Sequence, residues 1–192
     1  IVDVDRFFDG DATFGPMAPK RLVDTRADGV TVDGTDQAGG IRANGTTLEL
    51  TVSGRATVSA SAKAVVLNVT VTAPTGTGFV TVFPCGEDRP LASNLNYSVG
   101  QTVANAVTTK LSATGTVCVF LSEVANVIVD VNGAAPAAGS YTPLTPFRLS
   151  DTRSNGVTGD GQGQATGVVA ANGVLTVQVE GRGGVLTTAT AA

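Results

Sequence analysis

Side chains able to do chemistry are few and of limited kinds. The 192 residues carry 16 Asp and Glu, 12 Lys and Arg, two Cys and no His. Nucleophilic catalysis of the Ser-His or Cys-His kind needs an imidazole to take up the proton, so that route is closed. Paired carboxylates remain through Asp24, Asp28, Asp33 and Asp36, but Asp28-Gly29 and Asp33-Gly34 have the composition of turns. No catalytic residue is assigned and the chain reads as a non-enzyme. The oxygen-rich run Asp28 to Asp36 would suit a hard cation such as calcium. Its spacing matches neither an EF-hand nor a nonapeptide pattern, so a plain polar loop is preferred, and no metal or cofactor is expected.

Three further constellations remain. Cys85 and Cys118 each adjoin a β pattern, in Val80-Thr-Val-Phe-Pro-Cys85 and Gly115-Thr-Val-Cys118. Without His or a CxxC spacing they do not suggest metal; a disulfide is expected, with two buried free thiols as the alternative. Such a bridge would contribute roughly 3 to 4 kcal/mol and implies an oxidising, extracytoplasmic setting. Asn94, Asn96, Tyr97, Gln101 and Asn105 offer amide groups beside one ring, as a sugar site would. With no Trp and two Tyr the aromatic platform is thin, and Asn side chains satisfying irregular backbone is the simpler account. Arg21, Asp24 and Arg26 form a charge cluster in which, by strand alternation, Asp24 and Arg26 share a face and Arg21 lies on the other. An Arg at a module edge can fix a junction by pairing bidentately with a carboxylate. Asn44-Gly-Thr, Asn68-Val-Thr and Asn96-Tyr-Ser match the N-glycosylation pattern.

These residues sit in a chain that restates itself. Shifted by 127 positions, Arg21, Asp24 and Arg26 fall on Arg148, Asp151 and Arg153, and Ile1-Val-Asp-Val4 falls on Ile128-Val-Asp-Val131; 27 of the 65 overlapping positions are identical. A period of that length exceeds a solenoid unit, so each copy is expected to be a domain. The organisation read from it is a closing strand and linker over 1–13, a complete module over 14–133, a linker over 134–140 and the first half of a second module over 141–192. The chain opens with Ile1 inside a strand pattern, as a processed or excised piece would.

Composition agrees with short strands joined by turns: 42% apolar residues, 15% charged and 24 Gly. A net charge of -4 without a polybasic run excludes a nucleic-acid partner. No apolar run approaches the roughly 20 residues of a membrane span, so membrane insertion is not expected. Alternation predicts strands at Thr46–Val52, Ala64–Ala73, Phe79–Phe83, Leu91–Tyr97, Gly115–Leu121 and Val124–Val131, with the longest, Ala64–Ala73, central. Pro74 to Gly78 is expected to turn that strand into a hairpin with Phe79–Phe83. Gly100–Leu111 fits strand or helix by period and is assigned strand for its Val and Thr. Arg21–Arg26 is a short strand or arm, its prolines suiting an edge. The fold expected is all-β: an antiparallel β-sandwich module of about eight or nine strands, tandemly repeated.

The strings Arg21-Leu-Val-Asp-Thr-Arg26, Ala64-Val-Val-Leu-Asn-Val-Thr-Val-Thr72, Gly78-Phe-Val-Thr-Val-Phe-Pro-Cys-Gly86, Ala92-Ser-Asn-Leu-Asn-Tyr97, Gly100-Gln-Thr-Val-Ala-Asn-Ala-Val107 and Ile128-Val-Asp-Val-Asn-Gly133 together resemble a repeat module. Modules of this kind occur in tandem in large secreted and surface proteins of actinobacteria, sometimes beside hydrolase domains. The resemblance implies an extracellular or cell-surface location and carries no catalytic residues. It makes a structural module, forming a filament, a surface layer or a tandem-array spacer, the expected role. A carbohydrate-binding or adhesion module, with cell-wall glycan as ligand, is the alternative. Half a module would leave the apolar faces of strands such as Val174–Val179 and unpaired edges in water. The expected cover is another copy of the chain, or a neighbouring repeat, added head to tail with Ile1, Val2 and Val4 as the donor strand; Arg21, Asp24, Arg26, Arg148, Asp151 and Arg153 are the expected junction contacts.

Overall fold

The computed structural model describes residues 15–135 and 144–187. The expected strand Ile1–Val4, its linker and most of the linker after Asn132 lie outside the described residues. All the strands fall in the first stretch: β1 Gly15–Asp24, β2 Thr46–Thr51, β3 Ala64–Thr72, β4 Gly78–Pro84, β5 Leu95–Tyr97, β6 Val103–Lys110, β7 Thr116–Leu121 and β8 Asn126–Ala135. They make two four-stranded sheets, ordered β1-β8-β3-β6 and β2-β7-β4-β5, with every pair antiparallel. The fold is an all-β sandwich. Period-2 alternation explains it: Leu67, Val69 and Val71 of β3, with Val127, Val129 and Val131 of the neighbouring β8, face Val80 and Val82 of β4 and Val117, Val119 and Leu121 of β7 in the other sheet, all fully buried.

β3 lies inside its sheet, as its length suggested, but the expected β3–β4 hairpin does not form. β3 is paired on one side with β6 and on the other with β8, so no edge is left for β4. Residues 73–77 instead carry the chain across to the other sheet, and their backbone is held by Thr75 N donating to Val124 O at 3.0 Å and Gly100 N donating to Pro74 O at 2.8 Å. β7 and β8, adjacent in sequence, likewise lie in different sheets. Gly100–Leu111 is a strand over β6, and β8 runs on to Ala135, four residues beyond the expected strand end at Val131.

β1 and β2 form one edge of the sandwich, β6 and β5 the other. Pro16 and Pro19 are tolerated in β1 because it is an edge strand, and its pairing with β8 is interrupted twice, between Pro16 and Lys20 and between Arg21 and Val23. Cys85 and Cys118 are bridged. The bridge pins the turn after β4 to the outer face of β7, where Arg89 lies 4.1 Å above the Phe120 ring.

Residues 144–187 contain no strand; their one ladder contact is the isolated parallel bridge between Asp151 and Gln164. The alternating segment Val174–Val179, expected as a strand, has no strand alongside it. In residues 15–135 the corresponding positions form β2, which is held by β7.

Candidate functional site

A buried polar network is built around Asp24, at the end of β1. Strand alternation separated Arg21 from Asp24, and the structure joins them. Arg21 pairs with Asp130 and Val23 with Val129, so Leu22 is an extra residue that shifts the alternation by one. Leu22 enters the core, and Arg21 and Asp24 turn to the same side. Arg21 Nη1 donates to Asp24 Oδ2 at 3.0 Å, while its Nε donates to Asp130 Oδ1 on β8 at 2.9 Å. Arg26 forks onto Asp24, Nε to Oδ1 at 2.9 Å and Nη2 to Oδ2 at 2.7 Å. Arg21 thus links the edge strand to β8, and Asp24, fully buried, holds both cations. The Arg26 fork keeps the Asp24 carboxyl below the usual carboxylate range against the opposing cost of burial. Gly29 fits because it lacks a Cβ, which would come 2.5 Å from the Asp24 carbonyl oxygen. Thr25 continues the junction: its hydroxyl accepts from Val127 N at 3.0 Å and donates to Asn126 Oδ1 at 3.1 Å.

A second cation closes the loop that follows. Arg55, just after β2, donates to both oxygens of Asp33 at 2.7 and 2.9 Å, to Asp36 Oδ2 at 2.8 Å, and to the carbonyls of Leu22, Thr35 and Thr51. It ties the end of β2 to β1 across the open edge of the sandwich. Asp33 and Asp36, two of the acids weighed as calcium ligands, have the Arg55 guanidinium as their cation; Asp28 is exposed at the start of the loop. Among the described residues no three His, Cys, Asp or Glu side chains converge as metal ligands.

The same geometry stands at the positions 127 residues on. Arg153 forks onto Asp151 at 2.8 and 2.5 Å, and Arg148 Nη1 donates to Asp151 Oδ2 at 3.3 Å. Arg182 forks onto Asp160 at 2.7 and 2.9 Å and donates to the carbonyls of Leu149, Gln162 and Gln178. The Arg153 fork holds Asp151 well below its ordinary range, and Arg182 lowers Asp160 to about 2. Two contacts differ: Arg55 also holds Asp36, where Gly163 stands at the matching position beside Arg182, and the surroundings of Arg148 are not those of Arg21. Arg148, unlike Arg21, has no β8 carboxylate beside it; its Nη2 reaches the Leu91 carbonyl, while Thr145 Oγ1 donates to Glu87, which also accepts from Lys110 Nζ at 2.7 Å. The disulfide-pinned turn is thus what residues 144–148 rest on.

Neither a family model nor a curated protein sequence matches this chain. The site is therefore read from its own geometry.

The remaining sequence candidates divide. Asn94, Tyr97, Gln101 and Asn105 serve the chain's own backbone: Asn94 Oδ1 accepts from Val82 N at 2.7 Å, Asn105 Nδ2 donates to Asn94 O at 2.6 Å, Gln101 Oε1 accepts from Ser98 N at 3.0 Å, and Tyr97 donates to Glu123 O at 3.1 Å. The Asn105 bond closes the β5–β6 edge as Arg55 closes the other. Asn96 is exposed, and with Thr77, Phe79, Tyr97 and Gln101 it lines an open groove of about 380 Å³. Ile1, Val2 and Val4 lie outside the described residues. Sequence reasoning passed over Arg55, Arg182 and Asp130. The first two were signalled by Gly54-Arg55 recurring as Gly181-Arg182 together with Asp33 recurring as Asp160, a basic and an acidic residue kept in step.

Proposed function

We propose that this chain is a non-catalytic structural module of the cell exterior that assembles head to tail, as a filament, surface layer or tandem array, through strand-mediated junctions. The observation that carries the reading is the pair of networks just described. Around Asp24 the network fastens an edge strand to β8 through Arg21 and Asp130. Around Asp151 the same fork is formed without a closing strand beside it. Leu149, Val177, Val179 and Val185 are all partly exposed, whereas Leu22, Leu50, Val52 and Val58, the residues at the matching positions, are buried. Val168 and Val174 are 96% and 89% exposed. A surface of this kind suits an interface.

The extracellular setting is supported by the Cys85–Cys118 bridge, which persists in oxidising compartments; none of the described residues form a helix long and apolar enough to cross a membrane. Likeness to the tandem modules of actinobacterial surface proteins supports the same reading. Light scattering over a concentration series tests it. Multimers growing with concentration are expected, and a monomer at every concentration would oppose self-assembly.

The groove beside Asn96 and Tyr97 favours a second reading, adhesion through a cell-wall glycan. Its test is a glycan array, on which sub-millimolar binding abolished by Asn96→Ala would establish it.

A further inference from the structure

The assembly reading leaves open which strand closes the Asp151 network, and the β1–β8 register answers that. In residues 15–135, Asp24 lies opposite Ile128, Val23 opposite Val129, Arg21 opposite Asp130 and Lys20 opposite Val131. Ile1-Val-Asp-Val4 repeats Ile128-Val-Asp-Val131 without a change, and Arg148-Leu-Ser-Asp-Thr-Arg153 keeps the Arg, Leu and Asp that make the bulge around Leu22. We propose that Ile1–Val4 of a second copy of the chain pairs with residues 147–151, placing Ile1 opposite Asp151, Val2 opposite Ser150, Asp3 opposite Arg148 and Val4 opposite Phe147.

Each position in that register answers something unsatisfied. Asp3 supplies a second carboxylate to Arg148 beside Asp151, as Asp130 does for Arg21 beside Asp24 at 2.9 Å. Val2 and Val4 correspond to Val129 and Val131, both fully buried, and Ile1 to Ile128, 7% exposed opposite the buried Asp24. The backbone groups of residues 147–151 gain a ladder partner. The occupant comes from a second copy because the chain's own module already rests against residues 145 and 148, through Glu87 and Leu91, and Val168 and Val174 stay exposed there. A second copy brings a second body to cover them, and Arg148 exchanges the Leu91 carbonyl for Asp3. Because donor and acceptor are different segments of the chain, the contact is heterologous and extends into an open chain.

The inference rests on the assembly reading, and cross-linking separates the two. Two full-length variants, Asp3→Cys and Arg148→Cys, are mixed under mild oxidation beside the unsubstituted chain, with Val2→Cys plus Arg148→Cys as a register control. A one-residue slip moves the side chain to the opposite face. Covalent dimers from the first mixture, about tenfold or more above the control, are expected. Equal yields in both mixtures would overturn the register. Multimers of the unsubstituted chain without cross-linking would overturn the strand exchange and leave self-assembly standing. A chain carrying both Asp3→Cys and Arg148→Cys that closes on itself as a monomer in dilute solution would overturn the second copy as donor. If the unsubstituted chain is monomeric throughout, both readings fail.

Discussion

Residues 17–60 and 144–187 correspond position by position, yet only the first stretch is built into the two sheets. The bonds they share have a common character. The Arg26 and Arg153 forks, the Arg55 and Arg182 clamps, and the turns closed by Gly29 N on Arg26 O at 2.9 Å and by Gly156 N on Arg153 O at 2.8 Å all span a few tens of residues at most. What differs is long-range. β1 needs β8, more than a hundred residues away in the chain, and β2 needs β7, about seventy residues away. The loop network is therefore encoded within its own segment, while the strands on either side become strands only when a partner strand arrives. That separation is what the proposed junction requires: a segment shaped by its own loop bonds before a partner strand is added.

Paired substitutions at corresponding positions test this separation. Leu50→Ala removes a fully buried side chain and should cost about 3 to 5 kcal/mol in chemical denaturation. Val177→Ala, at the matching half-exposed position, should cost under about 1 kcal/mol in the dilute chain. Equal costs would mean that residues 144–187 already share a core. Next in size is Asp24→Ala. It strips two guanidinium groups of their buried acceptor and should destabilise the sandwich by about 2 to 3 kcal/mol, the cost limited by the exposure of Arg21 and Arg26. Asp151→Ala should leave the main unfolding transition in place. Replacing Arg55 by Lys keeps a charge but loses the planar fork onto Asp33, and should cost about 1 to 2 kcal/mol; the same change at Arg182 should alter only local proteolysis near residues 149–162.

The smallest effect is electrostatic. Asp33 and Asp160 are both depressed by their arginine forks. A carboxyl whose folded value lies below its unfolded one stabilises the fold above the unfolded value and loses that contribution as pH falls toward the folded one. For Asp160 the window runs from the ordinary aspartate value of 3.8 down to about 2. A carboxyl-carbon NMR titration should show it charged at pH 3, whereas an Asp160 titrating near 4 would mean that the Arg182 clamp is open.

Much of this was legible in the sequence, for physical reasons. Period-2 alternation in Ala64–Thr72 marked the central strand, because a strand with one buried face must alternate. The apolar neighbours of Cys85 and Cys118 pointed to their bridge. Pairing was not legible: nothing local in Pro74–Gly78 says that both flanks of β3 are taken by β6 and β8, so the hairpin expectation failed. The contact between Arg21 and Asp24 was hidden by the Leu22 bulge, which exists only against β8. Repeated acids at Asp33 and Asp160 were visible, but their partners Arg55 and Arg182 lie 22 residues further on, and only the folded loop brings them together.

The central claim is that residues 144–187 are completed by another copy of the chain. Hydrogen–deuterium exchange followed with increasing chain concentration tests it most directly. Amides of residues 147–151 and 174–179 should exchange rapidly in dilute solution and slow by about tenfold or more as the chain assembles, while those of β3 and β8 stay protected throughout. Rapid exchange in both segments at every concentration, in a chain whose sandwich remains folded, would contradict it.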